Sequence, residues 1–180
     1  MKNKSRQFWL FVVLISISAS FTFLPVEHYV VSAGYTMDFK SSDPSGSFSK
    51  MGGDIYFNDE DLVNSKFNLY IDVTSINTGN GMQNKKAQTS EWFNAPSFPQ
   101  IKFTSSKIAK NGNGYLITGD LTMKGTTKQY TIPATKTITG NKIAFSGTFN
   151  VDRLAFKVGK KSAVVPDKMK VVYFIPALKK

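Results

Sequence analysis

Ser65-Lys66-Phe67-Asn68-Leu69-Tyr70-Ile71-Asp72-Val73 decides the fold class. Phe67, Leu69, Ile71 and Val73 fall on one side of an extended chain, and Lys66, Asn68, Tyr70 and Asp72 on the other. Strand side chains alternate between faces, so a strict period of two marks a sheet with one buried and one wet face. The same alternation recurs at Ile101/Phe103, Tyr115/Ile117, Tyr130/Ile132, Ile143/Phe145/Gly147/Phe149/Val151 and Val171/Tyr173/Ile175. Turn formers separate these runs: Asn58-Asp59-Glu60-Asp61, Asn111-Gly112-Asn113-Gly114, Lys124-Gly125 and Gly140-Asn141. Short, regular spacing predicts an all-β antiparallel barrel or sandwich and argues against βαβ units. From Asn84 to Phe93 the period of two lapses, and Ala87, Gln88 and Glu91 predict one or two helical turns. The helix should stop near Asn94-Ala95-Pro96, with Trp92 and Phe93 packed against a barrel end.

Upstream of the strands, Lys2, Lys4 and Arg6 precede an uncharged run from Phe8 to Leu24. This is the layout of a secretory signal peptide, with an uncleaved N-terminal anchor as the alternative. Ser16, Ser18, Ser20 and Thr22 dilute the apolar run and favour cleavage. Two small-residue sites stand out: Ser18 with Ser20, cutting before Phe21, and Val31 with Ala33, cutting before Gly34. Residues 1–24 are therefore read as signal peptide or anchor, residues 26–180 as one domain, and the location as periplasmic or secreted. The chain has no cysteine, so an exported domain must stand on its core alone, without disulfides or a thiol-linked anchor. The formal net charge of +11 falls to +8 for a product starting at Phe21. Lysines are spread along every segment without an arginine cluster or basic helix, a distribution that argues against nucleic acid. It suits a solvated cationic surface and peripheral contact with an anionic membrane.

Catalytic chemistry finds little to work with. His28, beside Glu27, is the only histidine, so neither a Ser–His nor a Cys–His nucleophile pair is available. Zinc would need an all-carboxylate site, and Asp59-Glu60-Asp61 lacks the ligand spacing of a calcium loop. The Gly112/Gly114 and Gly79/Gly81 pairs read as hairpin material, not phosphate loops. These absences point to binding rather than catalysis, with no metal and no catalytic residue expected.

Ile55-Tyr56-Phe57-Asn58 is followed by Ser65-Lys66-Phe67, Ile71-Asp72-Val73 and Ser75-Ile76-Asn77-Thr78-Gly79-Asn80. Trp92-Phe93-Asn94 and Phe98-Pro99-Gln100-Ile101-Lys102-Phe103-Thr104-Ser105 come next. This order resembles the YceI-like family, as do Gly119-Asp120-Leu121-Thr122-Met123-Lys124-Gly125-Thr126-Thr127-Lys128 and Val151-Asp152-Arg153-Leu154-Ala155-Phe156-Lys157-Val158-Gly159. The resemblance implies an eight-stranded antiparallel lipocalin-like barrel with one short helix. It further implies an elongated apolar cavity for a polyisoprenoid or similar amphiphile, and a first strand from about Tyr29 through Phe39. A cut before Gly34 would remove part of that strand, which favours cleavage near Ser20 to Leu24. The sequence departs from the family pattern at Gln83-Asn84-Lys85-Lys86-Ala87, where many relatives carry a histidine and Lys86 stands in its place. The Lys40 to Gly46 segment is also short and polar, which leaves room for a smaller mouth or a different ligand.

A barrel of about eight strands is wide enough for packed side chains or for one ligand. The candidate lining is Phe57, Phe67, Leu69, Ile71, Ile101, Phe103, Ile117, Ile132, Phe145 and Phe149, with Trp92, Phe93 and Phe98 near an end. Taken alone, such a set reads as a filled core. Fifteen phenylalanines and the family resemblance shift the reading to a cavity. The implied ligand is a polyisoprenoid, an isoprenoid quinone or a fatty acid-like lipid, with Lys85, Lys86 or Arg153 as contacts for a polar head. A structural or adhesive β-domain with a filled interior is the alternative. An outer-membrane barrel is set aside because the outward faces carry Lys66, Asn68, Asp72, Lys102 and Thr104. The residues leave open whether the chain forms a homodimer.

Overall fold

A computed structural model describes residues 25–180; the basic and apolar N-terminal segment, with the cleavage site expected there, lies outside them. Eleven strands form one continuous antiparallel sheet. They are β1 (Glu27–Val31), β2 (Thr36–Lys40), β3 (Gly46–Phe48), β4 (Met51–Phe57), β5 (Lys66–Asp72) and β6 (Ile76–Asn77), then β7 (Gln100–Asn111), β8 (Gly114–Met123), β9 (Thr126–Thr139), β10 (Lys142–Asp152) and β11 (Lys168–Lys179). Strands β1, β4, β5, β7, β8, β9, β10 and β11 make a closed eight-stranded barrel, sealed where β1 pairs with β11. Closure leaves none of these strands as a free edge.

The first strand does not run unbroken from Tyr29 to Phe39. It stops at Val31 and resumes at Thr36, both pieces lying along β11. Its two neighbours in the wall break at the same height, β3/β4 at Ser49–Lys50 and β5/β6 at Val73–Ser75. Side chains pin the three breaks together. The Tyr35 hydroxyl donates to the Ser49 carbonyl (2.8 Å) and accepts from the Met51 amide (3.1 Å). Ser75 Oγ accepts from the Lys50 amide (3.0 Å) and donates to the Asp72 carbonyl (2.6 Å). Above this line β11 pairs with β2, β2 with β3 and β3 with β6, and no strand of the sheet pairs with the far side of β6.

The helix and its following turns lie beside that edge. Helix α1 spans Gly81–Ala87, earlier than the expected Asn84 to Phe93. Asn80 explains the shift: its side chain accepts from the Met82 and Gln83 amides, an N-cap that starts the helix there. Gly79, at φ +77°, therefore belongs to the turn entering a helix and not to a hairpin. The Gly112/Gly114 pair does close a hairpin, Asn111 pairing with Gly114. Beyond α1 the chain folds into tight turns, with the Phe93 amide on the Ala87 carbonyl and the Trp92 amide on that of Thr89.

Both barrel ends are held by a charged group. At one end the rings of Phe57, Phe67, Tyr115 and Phe145 pack edge to face. Lys136 reaches over Phe57, 5.3 Å from the ring centre, and donates to Asp59, as does the Tyr115 hydroxyl. Burial opposes the charge on Asp59. The hydrogen bonds from Lys136 and Tyr115 and the charges of Lys136 and Lys110 outweigh it and hold the carboxyl below its ordinary range. Burial and the bond to Asp59 push the Tyr115 phenol up to about 12. At the other end Arg153, only 4% exposed, donates to the carbonyls of Val158, Val165 and Pro166 and to Asp167. This fork gathers the 157–167 loop against the barrel rim.

Two outcomes follow from these anchors. Arg153→Met is expected to cost about 3–5 kcal/mol in urea denaturation, because it strands buried carbonyls, and Arg153→Lys to recover less than half of that loss. The Asp59 carboxyl is held below its unfolded value, so it adds stability above that value and loses it as the pH falls through the folded pKa. Melting curves should therefore show wild-type stability dropping below about pH 4, and Asp59→Asn should flatten that acid limb.

Candidate functional site

The inward faces of the sheet do not meet in the middle. They enclose a cavity of about 340 Å³ running from the aromatic cluster at one end toward α1 at the other. Ile101 and Phe103 on β7, Ile117, Leu121 and Met123 on β8, Ile132 on β9, and Leu69 and Ile71 on β5 line its walls. Each follows the period of two, which sends alternate side chains inward. Phe67 and Phe145 close the floor, 2% and 1% exposed, with their ring centres 4.8 Å apart. Phe39, Phe48 and Phe93 form an aromatic chain toward the mouth, Phe48 touching both of the others.

A seam in the wall adds further lining. The ladder between β9 and β10 ends at Ser146 and Thr135. Past that point Tyr173 crosses from β11, donating its hydroxyl to the Pro133 carbonyl at 2.7 Å. Burial raises the pKa of this phenol and keeps it protonated as a donor. Gly147 makes the crossing feasible, since a Cβ there would collide with the Pro133 carbonyl and the Tyr173 ring. Phe149, in edge contact with Tyr130 and Tyr173, completes this side.

Most of the residues expected from sequence lie on this cavity: Phe67, Leu69, Ile71, Trp92, Phe93, Ile101, Phe103, Ile117, Ile132, Phe145 and Phe149. Two do not. Phe57 sits beneath the floor, packed on Phe67, Tyr115 and Phe145, because β4 ends below the cavity. Phe98 lies outside the mouth, its ring against Gly125 in the turn between β8 and β9. Of the three candidates for a polar head, Lys86 lies exposed at the mouth on α1, beside Gln83 and Ala87. Lys85 falls outside the lining, one position round the helix. Arg153 borders the cavity, but the loop carbonyls and Asp167 engage its guanidinium, which stacks 5.4 Å from the Trp92 ring centre.

Sequence reading missed other lining residues. Val151, Val171, Tyr173 and Ile175 carried the alternating signal, and Leu121 and Met123 lay in the quoted Gly119 to Lys128 stretch. Met37, Phe39, Phe48, Met51 and Ile76 gave none, because each lies in a strand too short or too near a break for a period to register. Met37, Met51, Met123 and Met169 all reach the cavity, four of the six methionines in the chain. Flexible thioethers let a wall adapt to guests of different outline. His28, stacked on Tyr56 and hydrogen-bonded to Asp54 at 2.7 Å, lies on β1 away from the cavity. Among the described residues no group of three or more His, Cys, Asp or Glu side chains gathers as a metal site.

Comparisons agree with this geometry. The chain is 34% identical over 96 residues to a UPF0312 protein of Yersinia enterocolitica, covering 53% of this chain and 50% of that one. It is also 34% identical over 83 residues to a UPF0312 protein of Photorhabdus laumondii, 46% and 43% of the two chains. The chain thus spans about half the length of the curated relatives it matches. Among solved structures it is similar to Burkholderia cenocepacia BcnA, with a TM-score of 0.73, 29% identity and coverage of 83% and 95%. A polyisoprenoid binding domain from Saccharophagus degradans, implicated in plant cell wall breakdown, superposes with a TM-score of 0.65 over 86% and 99% at 11% identity, a likeness of fold alone. The sequence profile of the YceI-like domain matches residues 21–176, and the chain belongs to that family.

Proposed function

We propose that this protein is an exported, non-catalytic carrier that holds a polyisoprenoid, an isoprenoid quinone or a fatty acid-like chain inside its barrel. One observation carries the reading: an apolar cavity of about 340 Å³ with a closed aromatic floor and a mouth at α1. Its size falls within the range of about 300–1,000 Å³ typical of small-molecule sites. Burial of hydrocarbon drives such binding at about 0.8 kcal/mol per methylene, or about 4 kcal/mol per isoprene unit before ordering costs. The tail enters first, and the head stays near Lys86 at the mouth.

Delivery fits a membrane surface. Met82 and Val164, 79% and 64% exposed, stand on α1 and the 157–167 loop in company with Lys85, Lys86, Lys160 and Lys161. Apolar and cationic groups together favour the interface of an anionic bilayer. A periplasmic or secreted location accords with the charged and apolar start of the chain. The described β1 seals the barrel, which supports processing before residue 25 and not before Gly34.

Native mass spectrometry and organic extraction of the full chain purified from its own compartment test the carrier reading. A co-purifying lipid is expected, and a lipid-free protein that also takes up no decylubiquinone would overturn it. Ile117→Trp should fill the cavity and weaken decylubiquinone binding by about tenfold or more, while circular dichroism shows the barrel intact. Lys86→Ala should weaken farnesyl phosphate about fivefold in a fluorescence displacement titration and leave farnesol unchanged. Lys85→Ala should change neither.

A further inference from the structure

The cavity stops at one level on the four strands from β8 to β11. Ile117 pairs with Ile132 across β8 and β9, Phe145 with Ile175 across β10 and β11, and all four line the void. The next inward positions below them, Tyr115 with Ala134 and Ile143 with Ala177, are at most 7% exposed and do not line it. Ile55, opposite Phe67 in the β4/β5 ladder, is fully buried and equally outside the lining. The rings of Phe57 and Tyr115, with centres 5.3 Å apart, back the floor, and Lys136 lies over both. A chain that enters at α1 therefore meets a packed stop.

Two measures of the space above that stop agree. The lining runs from Phe145 to Val151 on β10, from Ile175 to Met169 on β11 and from Ile117 to Met123 on β8. Each run rises about 20 Å along its strand, and a barrel tilt of about 40° leaves about 15 Å along the axis. An extended isoprene unit spans four bonds, or about 5 Å, so about three units fill that depth. Volume gives the same answer. A dry apolar cavity of about 150 Å³ holds benzene, with its six carbons. At that density the present cavity of about 340 Å³ holds about fourteen carbons, again close to three units.

We infer that the barrel takes a short isoprenoid amphiphile of about three isoprene units and not a long polyprenyl chain, with the Phe67 and Phe145 floor as its ruler. This inference rests on the carrier reading and narrows its ligand class. Hydrocarbon contributes only where it leaves water, so in the tail-first pose a fourth unit, standing at the mouth, adds little. It also carries the head past Lys86, which borders the cavity at that end. A chain of three units reaches the floor with its tail and keeps its head beside Lys86.

Geraniol, farnesol and geranylgeraniol test this, since they share one head and differ by single isoprene units. Each is titrated into the full chain against a displaced fluorescent fatty acid, at concentrations where no alcohol aggregates. Farnesol is expected to bind about tenfold or more tighter than geraniol, and geranylgeraniol within about threefold of farnesol. Phe145→Ala removes a ring of benzene size from the floor, so geranylgeraniol should then gain about fivefold or more over farnesol. Ile175→Phe, beside Phe145 in the ladder, should raise the floor and weaken farnesol about tenfold with geraniol binding kept. A wild-type affinity that climbs as steeply from farnesol to geranylgeraniol as from geraniol to farnesol would overturn the inference and leave the carrier intact. A folded Phe145→Ala whose affinities still level off at farnesol would overturn it as well. Binding of none of the three alcohols to wild type would instead remove the carrier reading beneath it. Should a variant not fold, the wild-type series still decides.

Discussion

A single strand must pair on both sides to close this barrel, and it can do so only over part of its length. β1 takes β4 on one side and β11 on the other, so the lower wall is a complete cylinder with every ladder satisfied. At Ser32–Tyr35 the strand lets go, and β3/β4 and β5/β6 let go with it. Tyr35 and Ser75 supply the hydrogen bonds that the interrupted ladders lack. Above that line the sheet splays into the short strands β2, β3 and β6, and α1 with its following turns lies beside the unpaired side of β6. The cavity opens at that end because the cylinder does not continue. Floor and mouth are consequences of one change in pairing.

The mouth needs stiffness that strands no longer give it. Two cations provide it, chiefly through main-chain carbonyls. Arg153 binds the loop that follows β10, and Lys124 joins that loop to the turns after α1. Burial lowers the Lys124 pKa, and the charge of Glu91 opposes the shift. The Lys124-Gly125 turn has φ of +46° and +72°, and it links Met123 to Thr126 across a two-residue hairpin. A tight turn thus holds the lysine stem at a fixed angle to both segments. Trp92 stands among the elements joined in this way, with the Arg153 guanidinium over its ring and Gly159 beside it.

What was legible in the sequence was what repeats. Long strands β7, β8, β10 and β11 announce themselves because ten or more residues give a period of two room to register. The hairpin turns Gly112-Asn113, Lys124-Gly125 and Gly140-Asn141 were likewise visible, since each contains a glycine, and Gly112, Gly125 and Gly140 all sit at positive φ. The helix start was misplaced because Ala87, Gln88 and Glu91 offer helix propensity, whereas the boundary is set by the Asn80 cap. Phe57 and Phe98 were taken for lining because period and composition say which face a residue is on, and not how far along the axis it lies. Arg153 stood out as a cation near the mouth, but nothing local shows that carbonyls twelve and thirteen residues downstream would claim it.

The placement of the aromatic rings separates a hollow barrel from a filled one. Had the rings been spread evenly along the axis, they would interdigitate and leave no void. Instead most of them gather in three places. Phe57, Phe67, Tyr115 and Phe145 stop the floor, Phe39, Phe48 and Phe93 line the approach from the mouth, and Tyr130, Phe149, Phe156 and Tyr173 cover the seam. Between them lie Leu69, Ile71, Ile117, Leu121, Ile132 and Ile175, mostly shorter side chains, with the ring of Phe103 among them. Rings concentrated at the ends and mainly branched aliphatic chains in the middle define a pocket with a closed floor and soft walls. Such a pocket ranks guests by the length and width of the chain it can bury, and leaves recognition of the head to the few polar atoms at the mouth.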